Sequence, residues 1–333
     1  MPVRTSLAAF LVVVGAFVGT DSPSAQRGGG QVPASAAPPA INQQFAGIWK
    51  LVSQETRDAK GQIVPPNPAT VANAEARLGF IVYDPAGYMA VVIQQGGRQK
   101  YAAQQPTPQE ARAALGSYTS YWGSYAVNQP QSIVTHQTFG ALSTSMSGTD
   151  QVRGFTFSGN RLTLRPPAGA NGNQSSLTWE RVPDLPNLTS THKKLIGFWK
   201  LISSETRDAK GEVVSSNPGQ TGFIIYTASG HMMVHMMQAY RRRNAGQQAT
   251  PEETMAAMRS YTSYFGPYTV NESEKFVVHH LIGTINPGGV GQDYQRFYEF
   301  SGRRLILKPP ATRNADGDRQ STITWERISA DAQ

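Results

Sequence analysis

Short runs in which apolar residues alternate with polar ones, or stand side by side, recur throughout the chain. In its first half they fall at about 48–57, 78–84, 87–95, 121–128, 132–140, 151–158, 161–165 and 175–182, each bounded by Gly, Pro, Asn or Asp. Period-two patterning with turn-forming flanks predicts eight β-strands. Asp84-Pro85-Ala86-Gly87 and Ser158-Gly159-Asn160 have the composition of tight turns, so sequence neighbours should pair antiparallel. Such a meander closes into a barrel at about eight strands, with room for side chains or one small ligand. One segment breaks the pattern. Thr107-Pro108-Gln109-Glu110 and Thr250-Pro251-Glu252-Glu253 each offer a capping Thr, a Pro at the first helical position and a Glu that reaches back. Ala111, Leu115 and Tyr118, matched by Thr254, Met258 and Tyr261, follow at helical spacing. They predict one inserted helix per unit, lying on the barrel or across one mouth.

The chain repeats itself. Gly47-Ile48-Trp49-Lys50-Leu51 through Glu55-Thr56-Arg57-Asp58-Ala59-Lys60-Gly61 returns as Gly197-Phe198-Trp199-Lys200-Leu201 through Glu205-Thr206-Arg207-Asp208-Ala209-Lys210-Gly211. Gly79-Phe80-Ile81-Val82-Tyr83 returns as Gly222-Phe223-Ile224-Ile225-Tyr226, and Trp179-Glu180-Arg181 as Trp325-Glu326-Arg327. At about 135 residues the unit is far longer than a solenoid repeat, so each copy should be a whole domain. Domains are expected at 45–182 and 195–328, with Pro183-Asp184-Leu185-Pro186-Asn187 marking the joint inside a linker over 183–194.

These motifs resemble the bacterial and fungal lipocalin-like domain family: Gly-x-Trp-Lys-Leu at the first strand, Tyr-x-x-Tyr, a mid-strand His and the terminal Trp-Glu-Arg. The resemblance covers both halves. It implies an all-β protein of two tandem eight-stranded antiparallel lipocalin-like barrels, each with one inserted helix. It also implies that Trp49 closes one barrel end beneath Arg181, and Trp199 beneath Arg327, by cation–π contacts worth about 0.5–2 kcal/mol.

Composition narrows the chemistry. The chain has no cysteine, which excludes disulfides, thiol catalysis, cysteine zinc sites and iron–sulfur clusters. Its net charge of +8 raises the question of nucleic acid, but Lys and Arg are scattered and the one run, Arg241-Arg242-Arg243, has no matching run in the first half. No nucleic-acid partner is expected. Residues 1–25 begin with Arg4, continue through apolar Leu7–Val18 and end in small residues, the pattern of a signal peptide. The apolar run falls short of the about 20 residues that span a bilayer. An exported, periplasmic or secreted protein without stable membrane insertion is expected, with a flexible Gly/Pro/Ala linker over 26–44.

Alternation on the first strand groups Trp49, Leu51, Ser53, Glu55 and Arg57 on one face. All five are identical in the second copy, which places this row inside the barrel, running from an apolar closed end to a polar mouth. A buried Glu and Arg must be paired or bound to something. A ligand site then requires convergence of Glu55 and Arg57 with Tyr125, His136 and Arg153, and of Glu205 and Arg207 with Tyr268, His279 and Arg296. The structural alternative is an internal Glu–Arg pair that sets strand register. His136 and His279 are either hydrogen-bonded wall residues or acid–base groups. His231, Met233, His235 and Met237 share one strand face and suit copper. Against this, one strand seldom supplies a full ligand set, Met is adaptable filler, and no metal or cofactor is assigned.

No nucleophile elbow and no Gly-rich phosphate loop occurs, so no catalytic residue is assigned. The expected function is binding of small lipophilic molecules in a barrel calyx. A hydratase- or isomerase-type enzyme, or an interaction protein with filled barrels, are the alternatives.

Overall fold

The computed structural model describes residues 40–65, 77–246, 248–314 and 317–329. The expected signal peptide and most of the expected N-terminal linker lie outside them. The first barrel opens with helix α1 (Ala40–Phe45) and closes through β1 (Gly47–Arg57), β2 (Leu78–Tyr83), β3 (Tyr88–Gln94), β4 (Tyr118–Asn128), β5 (Ile133–Ala141), β6 (Asp150–Ser158), β7 (Arg161–Arg165) and β8 (Gln174–Arg181). Every strand pairs with its sequence neighbour, and β1 pairs with β8. Helix α2 (Pro108–Gly116) carries the expected capping box on Thr107 and Glu110.

The second barrel repeats this plan after helix α3 (Ser190–Leu195). Its eight wall strands are β9 (Gly197–Asp208), β11 (Gln220–Tyr226), β12 (His231–Gln238), β13 (Tyr261–Asn271), β14 (Phe276–His280), β16 (Asp293–Ser301), β17 (Arg304–Lys308) and β19 (Gly317–Arg327). Three short strands decorate it: β10 (Val213–Ser216), β15 (Gly283–Thr284) and β18 (Thr312–Asn314). Helix α4 (Pro251–Arg259) matches α2.

Helices α1 and α3 occupy, in all but the last residue of each, segments read from sequence as linker. They are too short for periodicity to reveal, and each seals a barrel end. Phe45 is fully buried against Tyr83, Phe155 and Phe157, with ring centroids 4.9–5.1 Å away. The Trp49 indole donates to the Phe45 carbonyl at 2.8 Å, and Trp199 to that of Leu195 at 2.7 Å. The Arg181 guanidinium lies 4.1 Å above Trp49 while donating to the carbonyls of Ala46 and Gln44. Arg327 does the same 4.2 Å above Trp199, with Ile196 and Lys194. The closed end expected from Trp49 and Arg181 is therefore present twice.

The barrels pack through the outer faces of β1–β4 and of β9 and β11–β13. One continuous apolar cluster joins Ile48, Phe80, Tyr88 and Trp122 to Phe198, Phe223, Met233 and Phe265. Contacts across it are reciprocal. Tyr118 pairs with the Ser263 hydroxyl at 3.0 Å, Tyr261 with that of Ser120 at 2.7 Å, and the two serines meet at 3.1 Å. Arg98, over the Tyr118 ring, donates to the carbonyls of Thr284 and Ile285; Arg241, over Tyr261, donates to those of Ala141 and Leu142. This is an approximate two-fold axis within one chain, the geometry of an isologous interface. It also corrects the reading of the Arg run: Arg241 has a counterpart, Arg98, and both are spent on the joint. The inserted helices α2 and α4 pack on each other there rather than across a mouth.

The closed ends line one groove between the domains, through Gly47, Tyr83, Gly197 and Tyr226. α2 and α4 follow the opposite ends of β3 and β12. Both closed ends therefore lie on the same side.

Candidate functional site

The first strand does not keep its alternation. Its pairing with β8 slips between Leu51 and Ser53, where Leu51 faces Trp179 and Ser53 faces Thr178. This β-bulge adds one residue and turns everything beyond it over. Trp49 and Leu51 point inward and are buried, whereas Ser53, Glu55 and Arg57 share the outer face with Thr163, Ser176 and Thr178. They line an external groove of about 590 Å³. The second copy slips at the matching place, beside Trp325, and turns out Ser203, Glu205 and Arg207. The expectation of an inner Glu–Arg row is overturned here. Glu55 and Arg57 pair with each other at 2.6 Å while half exposed, and Arg57 ties down the following turn through the Gly61 carbonyl. Glu205, Arg207 and Gly211 repeat the device. Identity between the copies thus reflects a shared turn.

The remaining candidates do converge inside the barrels. His136 on β5 is fully buried, with the Tyr83 hydroxyl 2.8 Å from Nε2 and the Tyr121 hydroxyl 3.0 Å from Nδ1. Arg153 on β6 sits on the same inner face, where its guanidinium donates to the Val152 carbonyl and the Gln151 side chain and its charge acts on Tyr121 and His136. Each nitrogen of the neutral ring faces one phenol hydroxyl, one as donor and the other as acceptor. Tyr125 closes the floor, donating to the Asp84 carbonyl at 3.0 Å.

Electrostatics fix these states. Burial, then Arg153, pushes the His136 imidazole down to about 3, so it is neutral at physiological pH. Burial also drives the Tyr83 phenol far up. The second barrel repeats the set, with Tyr226 and Tyr264 at 2.8 and 3.4 Å from His279, and Arg296 donating to the Gln295 carbonyl while its charge acts on Tyr264 and His279. Burial holds His279 well below its ordinary value, and Tyr268 donates to the Thr227 carbonyl at 3.2 Å. One difference separates the two: where the first barrel has Gln151, the second has Tyr294, whose ring stands 5.5 Å from Tyr264 and 5.1 Å from Arg296. The tyrosines that hold each histidine, Tyr83 and Tyr121 with Tyr226 and Tyr264, were missed as site residues. Their signal was present, since Gly-x-x-x-Tyr and Tyr-x-x-Tyr recur in both copies.

A lipocalin-like domain matches residues 46–182 and again 196–328. The chain belongs to the lipocalin-like domain family. No curated protein matches this lipocalin-like chain. Among solved structures it is similar to a mutant of the fluorescent protein UnaG, at 12% identity and a TM-score of 0.22, over 42% of this chain and 96% of that one. It is also similar to a DUF3598-family protein of Nostoc punctiforme PCC 73102, at 10% identity and a TM-score of 0.22, over 86% of this chain and 97% of that one.

The face carrying His231, Met233, His235 and Met237, considered above for copper, looks away from the interior of the lipocalin-like barrel. It is built into the domain interface: His231 stacks 5.2 Å from Phe80, His235 accepts or donates at 2.8 Å to Ser120, and Met233 and Met237 join the shared apolar cluster. The alternate residues Met232, Val234 and Met236 line the second barrel, as the filler reading expected.

Proposed function

We propose that each barrel binds a small lipophilic molecule, its apolar body against the aromatic wall and an acidic or hydroxyl group beside Arg153 or Arg296. The observation that carries this is the duplicated Tyr–His–Tyr cluster with an arginine on the same inner face. Four polar groups are held in order on the inner face of a wall otherwise built from Met89, Val91, Phe155, Leu162 and Leu164. A few placed polar groups in an apolar calyx are what a small-molecule site needs. Binding is favoured over proton transfer, because an imidazole held at about 3 neither takes up nor releases a proton near pH 7. The signal-peptide pattern supports an exported carrier or scavenger. Glu55, Arg57, Glu205 and Arg207 are left out of the site.

Titration with 11-(dansylamino)undecanoic acid tests this reading. Fluorescence should saturate with up to two probes per chain, and Arg153→Met with Arg296→Met should weaken binding about tenfold, the scale of a charge-assisted hydrogen bond. Absence of binding, or binding indifferent to both arginines, contradicts it.

A further inference from the structure

We infer that Trp179 and Trp325 each donate a hydrogen bond to an uncharged oxygen acceptor on the molecule held in their barrel, so that the ligand carries a carbonyl-class oxygen besides its apolar body. The inference rests on the calyx reading above. Both indoles are buried, at 2% and 1% exposure. Both sit on inner faces, Trp179 across from Leu51 and Leu162, Trp325 across from Leu201 and Leu305. Neither Nε1 finds a hydrogen-bond partner among the described residues.

This is not a general feature of the chain's buried indoles. Trp49 and Trp199 each reach a main-chain carbonyl at the closed end. An indole N–H left unpaired in an apolar interior costs about 1–3 kcal/mol, and here the same cost recurs at the same position of both domains. Indole is a donor only and carries no charge. Its matching group is therefore a neutral acceptor such as a ketone, ester or amide oxygen, while a charged head is served by Arg153 or Arg296. A site with a waiting donor also rejects the analogue that lacks the acceptor.

Benzophenone and diphenylmethane test this, since they share a skeleton and differ by the carbonyl. Benzophenone should bind about three- to tenfold more tightly, and two of the five indole N–H signals in a nitrogen-labelled proton spectrum should shift when it is added. Trp179→Phe with Trp325→Phe keeps an aromatic ring in place and should level the two affinities by weakening benzophenone alone. If the double variant does not fold, each single variant should remove one of the two shifting signals. Equal affinity in the parent protein with unmoved indole signals overturns the inference and leaves the calyx reading intact. Cross-relaxation from these indole protons to a water that persists at saturating benzophenone also overturns it, because that water is then the acceptor. Binding of neither probe overturns both.

Discussion

His136, His235 and His279 are fully buried, and burial sets His136 and His235 at about 3 and His279 well below its ordinary value. In the unfolded chain each titrates near 6.5. Below that pH the unfolded chain binds more protons, so stability is complete above about 7 and falls by about 1.4 kcal/mol per histidine for each unit of acidification. Asp84 has the opposite sign: burial raises its carboxyl to about 6, and between about 4 and 6 the folded state holds the extra proton and offsets one histidine. The urea midpoint should therefore be flat above pH 7 and fall steeply from 6 to 4. His235→Val, which installs the residue type of the matching position Val92, should flatten that slope by one histidine's share. A midpoint constant from pH 7 to 4 contradicts these burial states. Glu55 offers a contrasting case. Its half-exposed pair with Arg57 is worth about 0–1 kcal/mol, so Glu55→Ala should shift the thermal midpoint little and leave probe binding unchanged. Loss of binding in that variant would mean that Glu55 does reach the calyx.

At the scale of elements, most of the strand plan was legible. Period-two patterning and turn residues located all eight strands of the first barrel, and two capping boxes located both inserted helices, because these signals are local. The bulge at Leu51–Ser53 was not legible. It is a register slip between β1 and β8, strands at opposite ends of a domain, and alternation within one strand contains no information about it. The two sealing helices were equally hidden, since six residues are too few to show a period. Their importance is testable. Trp49→Ala removes a buried indole, its bond to Phe45 and the ring beneath Arg181, and should destabilise the protein by about 3–5 kcal/mol, read from urea unfolding. A cost below about 1 kcal/mol would show that the closed end can repack without it. Of the candidate site, Tyr125, His136 and Arg153 were found because each recurs in the second copy on an inner face. Their tyrosine partners come from β4, the hairpin neighbour of β5, and from β2, which only the closed barrel brings to β5.

Across the whole molecule, the duplication was plain in the sequence but its consequence was not. Apolar residues on the outer faces of β2–β4 form the joint between the barrels, with Arg98 and Arg241 bracing it from both sides. Arg98→Ala with Arg241→Ala removes the donors to four carbonyls across the joint and should cost about 2–4 kcal/mol. If a protease site is inserted at 183–187, the cut halves should stay together in gel filtration in the parent and separate in the double variant. Halves that part in the parent would refute a stable interface. The joint sets two barrels side by side with their closed ends on one side, and the difference between Gln151 and Tyr294 gives them unequal inner walls. The measurement that bears most directly on a paired lipophile carrier is native mass spectrometry of the protein purified from its own host, followed by organic extraction. The predicted result is a chain carrying one or two small molecules that organic solvent releases, each lipophilic and bearing an oxygen acceptor. A chain that flies at its polypeptide mass alone, and that also ignores the dansyl probe, would contradict the account.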